Sequence, residues 1–245
     1  MITGASRGIG LAIAREFASH ARNGSTSIDE KRVSLSLCAR DEYDITIAAE
    51  QLKAENCGVP VYAAPCDVSS TENISVFTTK AIEQFGPVDM LINNAGFGIF
   101  QPVEQMSAGE FDSVLATNLR GVFLMTKAVL NGMIERQRGT IVTIASLTGK
   151  NGFAGGAAYC ASKFGVRGLM QSLFLEVRKH NIRVLTIFPG SVDTAFFDRA
   201  IGADSIRSKH ALQAEDIARS VYLATELPIH ATISELDIRP TNPKG

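Results

Sequence analysis

The sequence is poor in the arrangements that build metal centres and disulfide frameworks. Its four cysteines, Cys38, Cys57, Cys66 and Cys160, show no C-x-x-C spacing, and most lie in or beside apolar runs. Reduced structural thiols are therefore expected, with no metal site. The histidines, His20, His180, His210 and His230, are equally dispersed, which leaves metal-dependent chemistry without a ligand set. Charge of either sign is scarce in excess: 24 Lys and Arg against 25 Asp and Glu leave a net charge of -1. That balance gives no reason to expect nucleic acid or an anionic membrane as a partner. No apolar run approaches the roughly 18 residues of a membrane span. The N-terminus shows neither the basic nor the apolar region of a signal peptide, so a soluble, cytoplasmic protein is the expectation.

What is present suits one large α/β domain. The 245 residues are 45% hydrophobic and 20% charged, and no linker divides residues 1–245. The chain opens on Thr3-Gly4-Ala5-Ser6-Arg7-Gly8-Ile9-Gly10 ahead of a helical pattern from Leu11 to Ser19. Glycines in a turn that opens a helix let backbone N–H groups approach a pyrophosphate. Only Met1 to Thr3 precede that turn, short for a central strand, so a start upstream of Met1 is expected. A polar surface loop is expected over His20 to Arg32.

The remaining pattern alternates. Strands are predicted over Val33–Ala39, Val59–Ala64, Val88–Ile92, Thr140–Ala145, Arg183–Phe188 and Thr232–Ile238. Helices are predicted over Tyr43–Asn56, up to Phe85 with Ser69 or Ser70 as cap, Ala108–Arg136, Ala157–His180 and Ala214–Glu226. Alternation of this kind implies a doubly wound parallel sheet of about seven strands, covered by helices on both faces, a single-domain Rossmann architecture. Ligands of such sheets bind beyond the carboxyl ends of the strands, where the polar signals of this chain cluster.

Tyr159-Cys160-Ala161-Ser162-Lys163 carries the chemistry. On a helix Tyr159 and Lys163 share one face. Lowering a phenol pKa from ~10 to about 7 requires roughly 4 kcal/mol, and one positive charge at about 5 Å supplies roughly 3 kcal/mol at an effective dielectric near 20. Tyr159 is thus expected to act as a general acid or base at neutral pH.

Taken together the motifs resemble the short-chain dehydrogenase/reductase family over nearly the whole chain. Thr3-Gly4-x-x-x-Gly8-x-Gly10, Asp67-Val68, Asn93-Asn94-Ala95-Gly96, Asn118, Ser146, Tyr159-x-x-x-Lys163 and Pro189-Gly190 stand in the family's order and spacing. The resemblance implies hydride exchange between a nicotinamide cofactor and a small-molecule carbonyl or alcohol. Tyr159 would be the proton donor or acceptor, and Ser146 would hydrogen-bond the substrate oxygen. Lys163 would depress the tyrosine pKa and hold the nicotinamide ribose, while Asn118 would hold a water linking Lys163 to solvent. Gly4, Arg7, Gly8 and Ile9 would meet the pyrophosphate, Asp67 and Val68 the adenine, and Asn94 and Ala95 the adenosine side. Pro189, Gly190, Val192 and Thr194 would reach the carboxamide.

The cofactor expected is NADPH. Cys38-Ala39-Arg40 stands where an acidic residue would select NADH, and Arg7 adds a second cation for a 2'-phosphate. A count of about twenty residues from the glycines selects Asp29 or Glu30 instead, inside the polar insertion. Asp41 remains the residue that a small rotation of the loop would present to a ribose.

The His20–Arg32 loop and the ending Glu235-Leu236-Asp237-Ile238-Arg239-Pro240-Thr241, which lacks Asp-Gly-Gly, are similar to sepiapterin-reductase-like members, reducers of pteridine side-chain carbonyls. The substrate wall is expected from Leu147–Gly156, from Phe97, Ile99 and Phe100, and from Ala195–Leu212, and the gap between Pro189-Gly190 and Ala211, with few structure signals, is expected to close as a lid. Phe153, Phe196 and Phe197 would stack on a flat ring, and Asp193, Asp198 or Arg199 would hold polar groups. The alternatives are a dehydrogenase of small 3-hydroxy acids or alcohols and a non-catalytic NADPH-sensing protein. The resemblance also implies a homodimer or homotetramer assembled through the helices of Ala108–Arg136 and Ala157–His180.

Overall fold

The structure is a computed structural model that describes residues 1–22, 33–55, 58–196, 211–228 and 230–242. Its strands are β1 (Ile2–Thr3), β2 (Leu35–Ala39), β3 (Val61–Pro65), β4 (Met90–Asn93), β5 (Gly139–Ile144), β6 (Ile182–Pro189) and β7 (Glu235–Ile238). They pair in parallel in one sheet of order β3-β2-β1-β4-β5-β6-β7. All residues of β2 and β5 are buried, because both faces of a doubly wound sheet are covered.

The helices are α1 (Gly8–Arg22), α2 (Glu42–Glu55), α3 (Thr71–Phe85), α4 (Ala108–Leu115), α5 (Gly121–Glu135), α6 (Ala157–Val177) and α7 (Ala214–Thr225). On one face, Ile13 and Ala14 of α1, Ile45 and Leu52 of α2, and Ile217 and Val221 of α7 share a core with β1, β2 and β6. On the other, Ile74 and Phe77 of α3, Met125 and Met133 of α5, and Val166 and Met170 of α6 pack with β4 and β5. Each such Ile, Leu, Val, Phe or Met side chain, fully buried, contributes about 1.5–3 kcal/mol.

Several boundaries differ from the sequence expectation. The second strand starts at Leu35 rather than Val33, the last at Glu235 rather than Thr232, and the helix expected to His180 ends at Val177, followed by a 3-10 turn Arg178–His180. The serine that caps α3 is Ser70, whose hydroxyl accepts the Asn73 N–H at 3.2 Å. The helix expected from Ala108 to Arg136 is broken by a π-helical turn, Ala116–Arg120. Counted through that turn, Ala108–Glu135 is 28 residues of helix with a mean hydropathy of 1.2 over its most apolar stretch, long and apolar enough to cross a membrane. The expectation of no such stretch is corrected to that extent. Here its inner residues Val122, Met125, Val129 and Met133 are buried in the core between α3, α6 and the sheet, while Arg120 and Lys127 are exposed.

β1 is only two residues long, with Ile2 and Thr3 paired to Leu37 and Cys38 of β2 and Ile2 to Ile92 of β4. Strand order reverses at this point, since β2 and β4 flank β1 on opposite sides. The crevice beyond the strand ends is the place where ligands of this architecture bind.

Candidate active site

Two loops meet at that crevice, the glycine turn after β1 and Asn93–Gly96 after β4. Gly4 and Gly8 have φ of 64° and 54°, a region that disfavours side chains. A Cβ on Gly10 would lie 2.4 Å from the Gly4 carbonyl oxygen and 2.5 Å from Asn94 Nδ2. Asn94 joins the loops by donating from Nδ2 to the carbonyls of Thr3 and Gly4, both at 3.0 Å. The Thr3 hydroxyl accepts the backbone N–H groups of Asn94 and Ala95, also at 3.0 Å.

At the end of β2, Asp41 accepts the Asp44 N–H at 2.8 Å and so caps α2, the use its carboxylate has here. Arg40 is exposed at the same edge, and Arg7 Nη1 lies 3.4 Å from Asp44 Oδ2. Asp67 holds its own turn, with Oδ1 accepting from the Ser69 N–H at 2.8 Å and the Ser69 hydroxyl at 2.7 Å.

Ser146 follows β5 and caps a 3-10 turn, Leu147–Gly149, by accepting the Thr148 N–H at 3.2 Å. The turn sits directly on α6, where a Cβ on Gly149 would lie 2.8 Å from the Lys163 carbonyl oxygen. Tyr159 and Lys163 are both buried, at 8% and 5% exposure. The Lys163 ammonium donates to the Ile144 carbonyl at 3.0 Å and stands 5.6 Å from the centre of the Tyr159 ring.

The electrostatics reverse the expected direction. Burial raises the Tyr159 phenol well above its ordinary value, with a hydrogen bond to Ser146 pulling the other way. Burial also pulls the Lys163 ammonium down to about 8. For the Tyr159 phenol burial is the largest influence, and the Lys163 ammonium donates to a main-chain carbonyl rather than to the phenol oxygen.

These groups line one cavity of about 660 Å³. Of the residues expected at the site, Gly4, Arg7, Gly8, Ile9, Arg40, Asp67, Val68, Asn94, Ala95, Ser146, Tyr159, Lys163, Pro189, Gly190, Val192 and Thr194 are on its wall. Asn118 stands behind the wall, fully buried in the π-helical turn, with its amide bonded to Phe97 and Ser162.

A family model described as short chain dehydrogenase matches residues 1–203. The chain belongs to the short-chain dehydrogenase family. A protein named sepiapterin reductase from Chlorobaculum tepidum is 34% identical over 99% of this chain and 96% of its own length. A putative ketoacyl reductase of the granaticin polyketide synthase of Streptomyces violaceoruber is 39% identical over 81% of this chain and 69% of its own. Among solved structures, an alcohol dehydrogenase from Thermococcus sibiricus, complexed with 5-hydroxy-NADP, superposes with a TM-score of 0.85 at 33% identity, covering 98% of this chain and 95% of that one. A metagenomic short-chain oxidoreductase in complex with NADP gives 0.81 at 35% identity, with 98% and 96% covered.

The substrate end of this short-chain dehydrogenase is only partly as expected. Phe97, Ile99, Ala195 and Phe196 line the cavity. Phe100 and Phe153 lie behind and beside it, in a ring cluster where Phe100 meets Tyr159 and Phe153 at 5.5 Å and Phe196 at 6.4 Å. Asp193 lies off the cavity wall, with its main-chain N–H bonded to the Leu212 carbonyl at 2.7 Å. Phe197, Asp198, Arg199, His210 and most of the expected lid lie outside the described residues, as do Cys57, Asp29, Glu30 and most of the His20–Arg32 loop. Cys38, Cys66 and Cys160 are buried free thiols. Sequence reasoning missed Ser6, Asp44, Cys66 and Thr117, which also line the cavity. For Asp44 a signal existed, an acidic residue in the first turn of α2 three positions after its cap.

Proposed function

We propose that this short-chain dehydrogenase is an NADPH-dependent carbonyl reductase acting on a ketone or diketone. The observation that carries the reading is the convergence of Ser146, Tyr159 and Lys163 on a cavity whose other end holds the glycine turn and Arg40. The residues present fit a dinucleotide. The turn is bare at Gly4, Gly8 and Gly10, its N–H groups open a helix, and Arg40 on the cavity wall offers a 2'-phosphate charge-assisted bonds. The NADP complexes of two structural neighbours support the same choice.

When bound, the reduced nicotinamide supplies the hydride. Tyr159, kept protonated by burial, gives its proton to the substrate oxygen. Ser146 hydrogen-bonds that oxygen and orients it. Lys163 holds the nicotinamide ribose, and its charge favours the phenolate that forms. Gly4, Arg7, Gly8 and Ile9 bind the pyrophosphate, Arg40 the 2'-phosphate, and Asp67, Val68, Asn94 and Ala95 the adenosine. Pro189, Gly190, Val192 and Thr194 reach the carboxamide, and Asn118 supports the lysine from behind as part of a water path.

Sepiapterin or a related pteridine is the substrate we favour, on the Chlorobaculum tepidum relative and on the ring of Phe196 at the wall, 5.5 Å from that of Tyr159. The alcohol dehydrogenase neighbour favours a second reading, oxidation of a small alcohol. A homodimer or homotetramer is supported by the apolar groove of Leu115, Leu119, Phe123 and Leu169, in which Phe123 is 45% exposed. Light scattering on the purified chain tests it. A cytoplasmic setting accords with the three buried free thiols.

The deciding experiment is the loss of NADPH or NADH absorbance against sepiapterin, diketones, keto acids and alcohols run in reverse, with Tyr159→Phe as control. NADPH-dependent turnover that falls by roughly 10²–10⁴ in the variant is expected. NADPH binding without turnover of any substrate overturns the reading in favour of a sensor, and equal turnover in the variant overturns the role given to Tyr159.

A further inference from the structure

On α6 the residues Tyr159, Lys163, Arg167 and Gln171 follow one another at four-residue intervals and form one stripe. The first two face the cavity. The second two leave it and reach Glu235 on β7. Arg167 donates from Nε to Oε1 at 2.8 Å and from Nη2 to Oε2 at 3.1 Å, and Gln171 donates from Nε2 to Oε1 at 2.8 Å.

Glu235 is approached from the other side by Lys150, the residue that closes the 3-10 turn capped by Ser146. The Lys150 ammonium is 3.0 Å from Glu235 Oε2, 2.6 Å from Asp237 Oδ1 and 4.0 Å from the centre of the Phe188 ring. The Arg167 guanidinium stands over the same ring at 5.9 Å. One carboxylate, its side chain 22% exposed, therefore binds a cation from each of the two elements that carry the candidate reacting groups. Without it Lys150 keeps Asp237 alone while Arg167 loses both of its bonds to Glu235, and the net positive charge left across the joint would push turn and helix apart. That joint has little slack, because the turn rests on the α6 backbone at Gly149 and Lys163.

We propose that Glu235 is a positioning residue that sets the separation of Ser146 from Tyr159 by holding Lys150 and Arg167 on one carboxylate. The proposal rests on the roles given to Ser146 and Tyr159 above.

The test compares Glu235→Gln, which keeps shape and loses charge, with Ser146→Ala and with the double variant. Alongside turnover, it follows amide hydrogen exchange over residues 147–151. In Glu235→Gln, exchange in that turn rises and kcat falls about tenfold or more, while KM for NADPH stays within about twofold. Added to Ser146→Ala, Glu235→Gln lowers kcat no further, since the group it positions is already gone. Lys150→Met frees the turn without leaving two facing cations, and serves if Glu235→Gln does not fold. It gives the same exchange signature with a smaller loss of kcat. Unchanged exchange in both variants, or losses of kcat that simply multiply in the double variant, overturns the proposal. Absence of turnover in the wild-type chain, or full turnover in Tyr159→Phe, counts against the reductase reading instead. The exchange measurement still decides whether Glu235 holds the turn.

Discussion

Asn118 and Phe97 bond each other along both backbone edges. Asn118 Oδ1 accepts the Phe97 N–H at 3.0 Å, and its Nδ2 donates to the Phe97 carbonyl at 2.8 Å. The amide takes the place of a neighbouring strand for the loop after β4. Its remaining N–H goes to the Ser162 hydroxyl at 3.0 Å, so a residue of the π-helical turn clamps a cavity loop to α6. Asn118→Ala leaves buried backbone groups without partners and is expected to cost about 2–4 kcal/mol. Thermal unfolding should show a midpoint lower by roughly 10 °C. A shift under about 2 °C would mean that the loop finds other partners.

Lys163 makes stability depend on alkaline pH. Its pKa is about 8 in the fold, against 10.5 for an ordinary lysine, because burial disfavours the ammonium. Between those values the unfolded chain binds more protons than the folded one, so stability rises with pH. Below 8 both states are charged and the fold bears the whole penalty, about 3 kcal/mol by linkage. Urea unfolding at pH 7.5 and 10 should show this rise in the wild type and lose it in Lys163→Met. Parallel pH dependence of the two proteins would assign the rise to other groups.

Gly10→Ala places a Cβ against the Gly4 carbonyl oxygen and the Asn94 amide, at 2.4 and 2.5 Å. Asn94 Nδ2 can turn away only by giving up both bonds that join the two loops, and the carbonyl cannot move without the glycine turn. NADPH affinity, followed by cofactor fluorescence, is expected to fall at least tenfold, roughly 1.4 kcal/mol. Undiminished affinity would show that the turn does not bind the pyrophosphate.

Arg40→Asp should exchange the cofactor preference. Asp41 is occupied in capping α2 and Arg7 is paired with Asp44, which leaves position 40 to discriminate. KM for NADPH should rise by roughly tenfold or more through lost charge-assisted bonds and new repulsion, with KM for NADH unchanged or lower. A variant that loses both cofactors equally would point to damage at the α2 cap.

The order of strands and helices was legible because each element has its own apolar period. β2 and β5 carry no charged residue and only the small polar side chains Ser36, Thr140 and Thr143, since both their faces are buried, and α6 reads as a long helix to within three residues of its end. The cavity wall was legible because its residues occupy the loops at the carboxyl ends of the strands, where motif and topology agree. The π-helical turn was not, because Ala116–Arg120 has helical composition and only the bonds of Asn118 across to Phe97 and Ser162 mark it as special. The cap role of Asp41 and the pairing of Arg7 with Asp44 were hidden for a similar reason. A carboxylate near a cofactor loop reads alike whether it turns toward a ribose or toward its own helix.

By itself the sequence determined which chemical groups stand at which strand ends, since local periodicity and turn residues place Gly4, Ser146 and Tyr159 without reference to distant residues. Only the tertiary structure decided their electrostatic state and their supports. Four residues of spacing bring Lys163 near Tyr159, but the direction of both pKa shifts is set by how completely the surrounding elements exclude water. Glu235 came from an ending that carried no motif, and it meets Lys150 and Arg167 only because β7 joins the sheet beside β6. Charge and hydrogen-bond energies depend on separation and desolvation, and for groups far apart in the chain the folded packing supplies both.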